Sequence, residues 1–251
     1  VDHYQGAARG LTFGAGTPYE FSGPIGGLGL PVPRSGDQER GDRDGDVGGD
    51  DVLPRRILTF PLNIDAATPS AMLAAHQALK RAWRPAVADV ALDLCLPGFP
   101  SSDEVLRFYG RPRGFDSDLS SLKSTHGDAL LTFEALDPFG YGPEEVQALA
   151  AGANVVTNDG DATTDRWILT LNRTGAASSI VNADDDEPGL SLEAGSSTLV
   201  LDGRTHTITE AGTDVFELIQ PGFGWPVLLE GDNNVTLTGA TGSLVFRPAY
   251  H

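Results

Sequence analysis

Cysteine is almost absent from this sequence: Cys95 is the only one in 251 residues. No disulfide framework can form within the chain, which fits folding in a reducing cytosol. Cys95 lies in the alternating run "VALDLCL", which makes it a structural thiol rather than a nucleophile. Long apolar runs are missing too. No stretch reaches the roughly eighteen residues of a membrane span, so membrane insertion is not expected. The opening "VDHYQGAARG" has neither a basic nor an apolar region of signal-peptide type. Positive charge is scarce, with 17 Lys+Arg against 35 Asp+Glu and a formal net charge of −18. Residues 1–150 carry 13 basic against 21 acidic side chains, giving −8, and residues 151–251 carry 4 against 14, giving −10. Sequence-specific nucleic-acid binding needs a basic footprint that neither part supplies. An acidic surface instead repels DNA, which suits the wall of a conduit.

Catalytic patterns are also lacking. There is no G-x-S-x-G elbow and no H-E-x-x-H. The five histidines show no metal-ligand spacing. The glycine-rich "GPIGGLGLP" runs into prolines, not into the helix start that a phosphate needs. No cofactor and no enzymatic activity are expected. The stretch "GDQERGDRDGDVGGDD" (residues 36–51) has the composition of a calcium loop but not its register. A start at Asp42 puts Val47 where glycine belongs and Leu53 where glutamate belongs. A start at Asp44 puts Gly48 at position five and Arg55 at position twelve. Five glycines and seven acids in sixteen residues form no core, so the loop is expected to be extended and solvated.

What is present is a β pattern. Thirty-one glycines and 17 prolines punctuate short alternating segments. In "RRILTFPLNI", Leu58, Phe60, Leu62 and Ile64 share one face, and Pro61 points to a sheet edge or a bulge. In "TPSAMLAAHQALKRAW" the period changes. Thr68 is an N-cap, Pro69 opens the helix, and Met72, His76, Leu79 and Trp83 line one face. His76 reads as a packed, hydrogen-bonded residue at the core edge. Strands resume with "DVALDLCL", "EVLRFYGRPRGF" and "DALLTFEAL". The middle one carries Arg107, Tyr109, Arg111 and Arg113 as the only concentrated basic stripe, either a solvated sheet face or a contact with an acidic neighbour. "DPFGYGPEEVQALAAG" predicts a second helix from Pro143 to Gly152, and a domain boundary belongs there. Beyond it every segment reads as strand, including "VFELI" and "WPVLL". Asp202-Gly203 predicts a two-residue hairpin turn, His206 a sheet-surface position, and Asp184–Glu187 a solvated turn. Trp167 and Trp225 read as core or as sugar-stacking aromatics. A jelly-roll β-sandwich is the natural solution.

The order of these segments, with "GRP" at Gly110–Pro112, "DP" at Asp137-Pro138, "NDGD" at Asn158–Asp161 and "LEGDN" at Leu229–Asn233, resembles the distal tail proteins of long-tailed bacteriophages. Glu230 stands where that pattern has proline. The resemblance implies a mainly β chain with one or two helices. A tail-tube-like β-sandwich plus helix would span residues 1–142, and a galectin-like sandwich residues 143–251. It implies a homohexameric ring in the virion tail tip, assembled in the host cytoplasm. The ring would join the tail tube protein to the tail hub, pass the tape-measure protein and DNA, and carry side fibres or receptor-binding proteins. Residues 36–51 then become an assembly loop in which Arg40 and Arg43 set register against a charged partner. The basic stripe becomes a subunit contact. A carbohydrate-binding adhesin using Trp167 and Trp225 is the alternative, and a jelly-roll glycoside hydrolase is a third reading.

Overall fold

The computed structural model describes residues 4–36, 38–39, 46–47, 49–97, 104–118 and 125–251. The described residues are mostly β with a single α-helix. The chain divides into two compact units, Val1–Gly140 with His251 and Tyr141–Tyr250.

The first unit contains β1 (Gln5–Ala8), β2 (Leu11–Gly14), β3 (Tyr19–Phe21), β4 (Gln38–Glu39), β5 (Asp46–Val47), β6 (Arg56–Asp65), α1 (Pro69–Ala82), β7 (Val90–Cys95), β8 (Val105–Asp118) and β9 (His126–Ala135). Seven of these strands form one antiparallel sheet in the order β2-β1-β7-β8-β9-β6-β3. The sheet curls until its two edges approach, and Phe13 of β2 meets Phe21 of β3 edge-on at 5.8 Å. As the alternation requires, Leu58, Phe60, Leu62 and Ile64 are all fully buried. Pro61 sits second from the edge. Its carbonyl accepts from Ser22 N at 3.0 Å, so its missing N–H also faces the β3 side, just past the end of that three-residue strand. The ladder to β9 loses nothing. The sequence "GRPRGF" shifts register between Pro112 and Gly114, leaving Arg113 as the extra residue of a bulge.

Helix α1 starts as expected: Thr68 Oγ1 accepts from Ala71 N at 3.2 Å and Pro69 opens the helix. Its apolar face closes the core. Trp83 stacks edge-on against Phe13 (5.9 Å) and Phe60 (6.1 Å) and donates its indole N–H to Thr132 O at 3.0 Å. His76 is buried, bonded to Ser117 Oγ at 2.9 Å and set edge-on against Phe115. Burial, and then nearby Lys80, holds its pKa below the ordinary value. Cys95 is a buried free thiol.

The acidic loop leaves the sheet as a hairpin. Arg34 and Val52 exchange backbone bonds at its base, and Gln38–Glu39 pairs with Asp46–Val47. Between them Gly36 and Gly49 touch: a Cβ on Gly49 would lie 2.3 Å from Gly36 O. Two of the glycines thus serve close backbone approach rather than looseness. Arg40 and Arg43, expected to set the register of an assembly loop, and Asp42 and Asp44, where the two failed calcium registers start, lie outside the described residues.

β10 (Gly140–Tyr141) spans the division. The second unit holds β11 (Glu145–Leu149), β12 (Gly152–Asn158), β13 (Trp167–Arg173), β14 (Ser178–Asn182), β15 (Leu190–Leu192), β16 (Thr198–Asp202), β17 (Thr207–Glu210), β18 (Thr213–Asp214), β19 (Gly231–Thr238), β20 (Ala240–Phe246) and β21 (Ala249–Tyr250). Two antiparallel sheets, β11-β20-β13-β16-β17-β18 and β12-β19-β14-β15, enclose a core that includes Trp167, Leu169, Leu199, Leu237 and Phe246. This is a β-sandwich.

Three local expectations are corrected. The second helix is absent. Glu145–Leu149 is strand β11, paired along its length with β20, from Glu145↔Phe246 to Leu149↔Gly242. Glu, Gln, Ala and Leu favour helix locally, but pairing with an otherwise open sheet edge overrides that weak preference. "VFELI" is a 3-10 turn at Phe216–Leu218, not a strand. Asp202-Gly203 does not close a two-residue hairpin. Asp202 pairs with Thr207, leaving a four-residue loop. Asp202 Oδ1 accepts from the N–H groups of Arg204 and Thr205, and His206 takes φ 54°. Gly203 is there for packing, because a Cβ would lie 2.4 Å from the Trp167 ring.

Candidate functional site

The basic stripe of β8 lies on the sheet face opposite buried Leu106 and Phe108. The structure brings acids to it from both neighbouring strands and the loop before β7. Asp93, directly across from Arg107, holds it through Nε and Nη2 at 2.6 and 2.9 Å. The hydrogen bond to Asp93 is the main cause that raises the Arg107 pKa above its ordinary value. Arg111 Nε bonds Asp89 at 2.9 Å. Glu134, mostly buried, takes Arg113 on one oxygen and Arg55 on the other, each at 2.5 Å. Four guanidiniums therefore meet three carboxylates, and the surface is close to neutral rather than a positive patch. Sequence reading missed these acids because each lies far from its arginine along the chain. The one available signal was polar Asp93 and Glu134 inside otherwise apolar strands. Tyr109 lies within the same stripe.

At the far end of β6 and β9, exposed His126 Nδ1 bonds Asp65 Oδ1 at 2.5 Å, and Asp128 stands 4.0 Å from its Nε2. The Asp65 hydrogen bond, then its charge, raises the His126 pKa above its ordinary value. The protonated form is thus favoured in the folded chain, and this contribution is lost as pH rises through the raised pKa. Asp65→Asn is expected to move the His126 titration back toward the ordinary value. A two-dimensional NMR titration reads this directly, and an unchanged midpoint would remove Asp65 as the cause.

In the second unit Trp167 is 2% exposed and donates its indole N–H to Pro226 O at 2.9 Å. It is core, and the expectation that it stacks on sugar is corrected by that burial. Trp225 is partly buried and lies parallel to His206, with centroids 5.0 Å apart and planes 11° apart. His206 is thus a turn residue held against an aromatic face, not a strand residue. Asp184 and Asp185 do more than face water. Asp185 Oδ2 accepts from Val227 N at 2.8 Å and Asp184 Oδ2 from Asn234 N at 2.5 Å, pinning the turn to the loop before β19 and to β19 itself. Asn158 and Asn233, both fully buried, brace the two loops whose sequences carried the resemblance. Asn158 Nδ2 donates to Ala162 O, and Asn233 bonds the backbone of Leu229 and Gly231.

Among the described residues no group of three or more His, Cys, Asp or Glu is placed to hold a metal ion, and no helix is long and apolar enough to cross a membrane. What the geometry provides is matched charge on one sheet face and braced loops.

No protein-family model and no curated protein sequence matches the chain. Solved structures do. The Dit protein of phage SPP1, described as a paradigm of the hub adsorption apparatus in phages infecting Gram-positive hosts, superposes with TM-score 0.77 at 17% identity, over 98% of this chain and 99% of that one. A chain of the phage P2 baseplate in its activated conformation with calcium matches at TM-score 0.52 and 9% identity, over 98% of both chains. The corresponding strontium structure matches at 0.53 and 9%. At these identities the likeness is one of fold, and it runs through both units: the chain has the distal tail protein fold from end to end.

Proposed function

We propose that the chain is a structural subunit of a phage tail tip, and that six copies close into a ring between the tail tube and the tail hub. The observation that carries this reading is the end-to-end fold match to the SPP1 hub protein. In it residues 1–142 form the ring and residues 143–251 face outward, where side fibres or receptor-binding proteins attach. The tape-measure protein and DNA pass through the channel, whose wall is acidic or neutral so that phosphate does not stick. The work is structural rather than enzymatic, and the ring is assembled in the host cytoplasm.

Arg107, Tyr109, Arg111 and Arg113 belong to a subunit contact in this reading. Their charges would enter it already paired with Asp93, Asp89 and Glu134, so burial would leave no arginine of the stripe without a carboxylate. The segment between Arg34 and Val52, whose sequence carries Arg40 and Arg43, would reach a neighbour. Native mass spectrometry with negative-stain imaging tests the reading, and sixfold rings are expected. A protein that stays monomeric across concentration and salt would sink it. Arg111→Glu sets a second acid against Asp89 and should weaken the ring most at low salt, where the repulsion is least screened.

A further inference from the structure

The curled sheet of the first unit does not close. Between the start of β1 and the edge strand β3 lies an apolar groove of about 910 Å³, walled by Tyr4, Phe21, Ile25, Leu28, Leu96 and Pro97. One side of it is an open strand edge. Asp65 N bonds Pro18 O and Ser22 N bonds Pro61 O. Alternation then makes Phe21↔Leu62 a pair without mutual hydrogen bonds. The N–H and C=O of Phe21 therefore point away from β6 toward the groove, and no described residue bonds them. Apolar walls beside an unpaired edge recognise one class of ligand: an extended segment with apolar side chains at alternate positions.

The chain carries such a segment. In "LGLPVP", after Leu28, Leu30 is 56% exposed and Val32 is 83% exposed. Pro31 and Pro33 lack N–H groups. Extended, the segment offers the backbone groups of Leu30 and Val32 along one side, while its proline side cannot form a regular ladder. It can thus add to a sheet in one sense only. At about 3.3 Å per residue, Val32 stands roughly 13 Å along the chain from Leu28, clear of its own groove wall. Just beyond it the backbone enters the hairpin base at Arg34.

We propose that the groove of one subunit seats the Leu30–Val32 segment of a neighbouring copy, adding a strand beside Phe21. This rests on the ring reading above and gives it a heterologous contact: groove on one face, donor segment beyond it, repeated from copy to copy.

Two variants separate the halves. Val32→Asp damages only the donor, at a position too exposed to matter for folding. Ile25→Asp damages only the groove. By native mass spectrometry each alone is expected to lose the assembled species at least tenfold, while the circular dichroism spectrum stays that of the folded chain. Mixed one to one, they should form dimers through the single intact groove and donor. Rings from Val32→Asp as abundant as wild type would overturn the proposal. A synthetic peptide of residues 27–34 gives a test independent of any ring. Added to monomeric Val32→Asp protein, it should slow amide exchange at Phe21, and should not do so in Ile25→Asp. If wild type never assembles but the peptide protects Phe21, the groove stands and the ring reading fails. If the peptide leaves Phe21 exchange unchanged in both variants, the groove assignment is wrong.

Discussion

Trp83→Ala is expected to destabilise the first unit by about 3–5 kcal/mol, the range for emptying a buried aromatic site. Trp83 joins the helix to the sheet. Its ring meets Phe13, Phe60 and Phe133 from three different strands, at 5.9, 6.1 and 6.3 Å. Those strands come from both halves of a sheet whose edges only approach one another, so neighbours cannot collapse into the space without unbending the sheet. Trp83→Phe keeps an aromatic ring but loses the indole bond to Thr132 O. That variant should cost about 1–2 kcal/mol, in the range for a buried hydrogen bond. Urea unfolding followed by circular dichroism measures both. A loss under about 1 kcal/mol for Trp83→Ala would mean the helix is not keyed to the sheet by this residue.

The helix that holds Trp83 was legible from sequence because its signals are local. Thr68, Pro69 and the spacing Met72–His76–Leu79–Trp83 lie within sixteen residues and agree with one another. Strand β6 was legible for the same reason. What was not legible depended on partners distant in sequence. "EEVQAL" has helical composition, and only the presence of β20, about a hundred residues later, makes it a strand. Asp202-Gly203 has hairpin chemistry, but the glycine answers to the Trp167 ring, and the turn widens. The arginine stripe was seen as charge, whereas its neutralisation required knowing that Asp93, Asp89 and Glu134 lie beside it. The groove beside Phe21 left no trace in composition, because it is made by strands that fail to meet.

The motif "LEGDN" illustrates a signal that was visible before its meaning was. Asn233 is fully buried and all four of its side-chain bonding positions are used. Oδ1 accepts from Leu229 N at 2.8 Å and from Asn182 Nδ2 at 2.9 Å, while Nδ2 donates to Leu229 O and Gly231 O, both at 2.9 Å. Gly231 at φ 80° lets the chain fold back onto that amide. The same turn occurs at "AAGAN". There Asn154 accepts from Ala150 N and donates to Ala150 O and Gly152 O, with Gly152 at φ 99°. The two turns open β12 and β19, which pair with each other. They form an internal control, since Asn154 is partly exposed and Asn233 is not. Asn233→Ala leaves two backbone carbonyls, one N–H and the Asn182 amide without that partner in a dry site, and is expected to cost about 3 kcal/mol or more. Asn154→Ala leaves similar groups where water reaches them and should cost about 1 kcal/mol or less. Asn233→Asp adds a pH dependence of known sign. A carboxylate there still accepts from Leu229 N and Asn182 but faces the carbonyls of Leu229 and Gly231, so its folded pKa rises above the ordinary value of about 3.9. Relative to wild type the variant is then least stable at neutral pH. It recovers as pH falls through the raised pKa and the protonated acid donates to a carbonyl. Denaturant midpoints for the three variants between pH 4 and 8 measure this. Equal losses for Asn154→Ala and Asn233→Ala, or a deficit in Asn233→Asp that grows toward acid, would show that the buried amide is not what holds the loop.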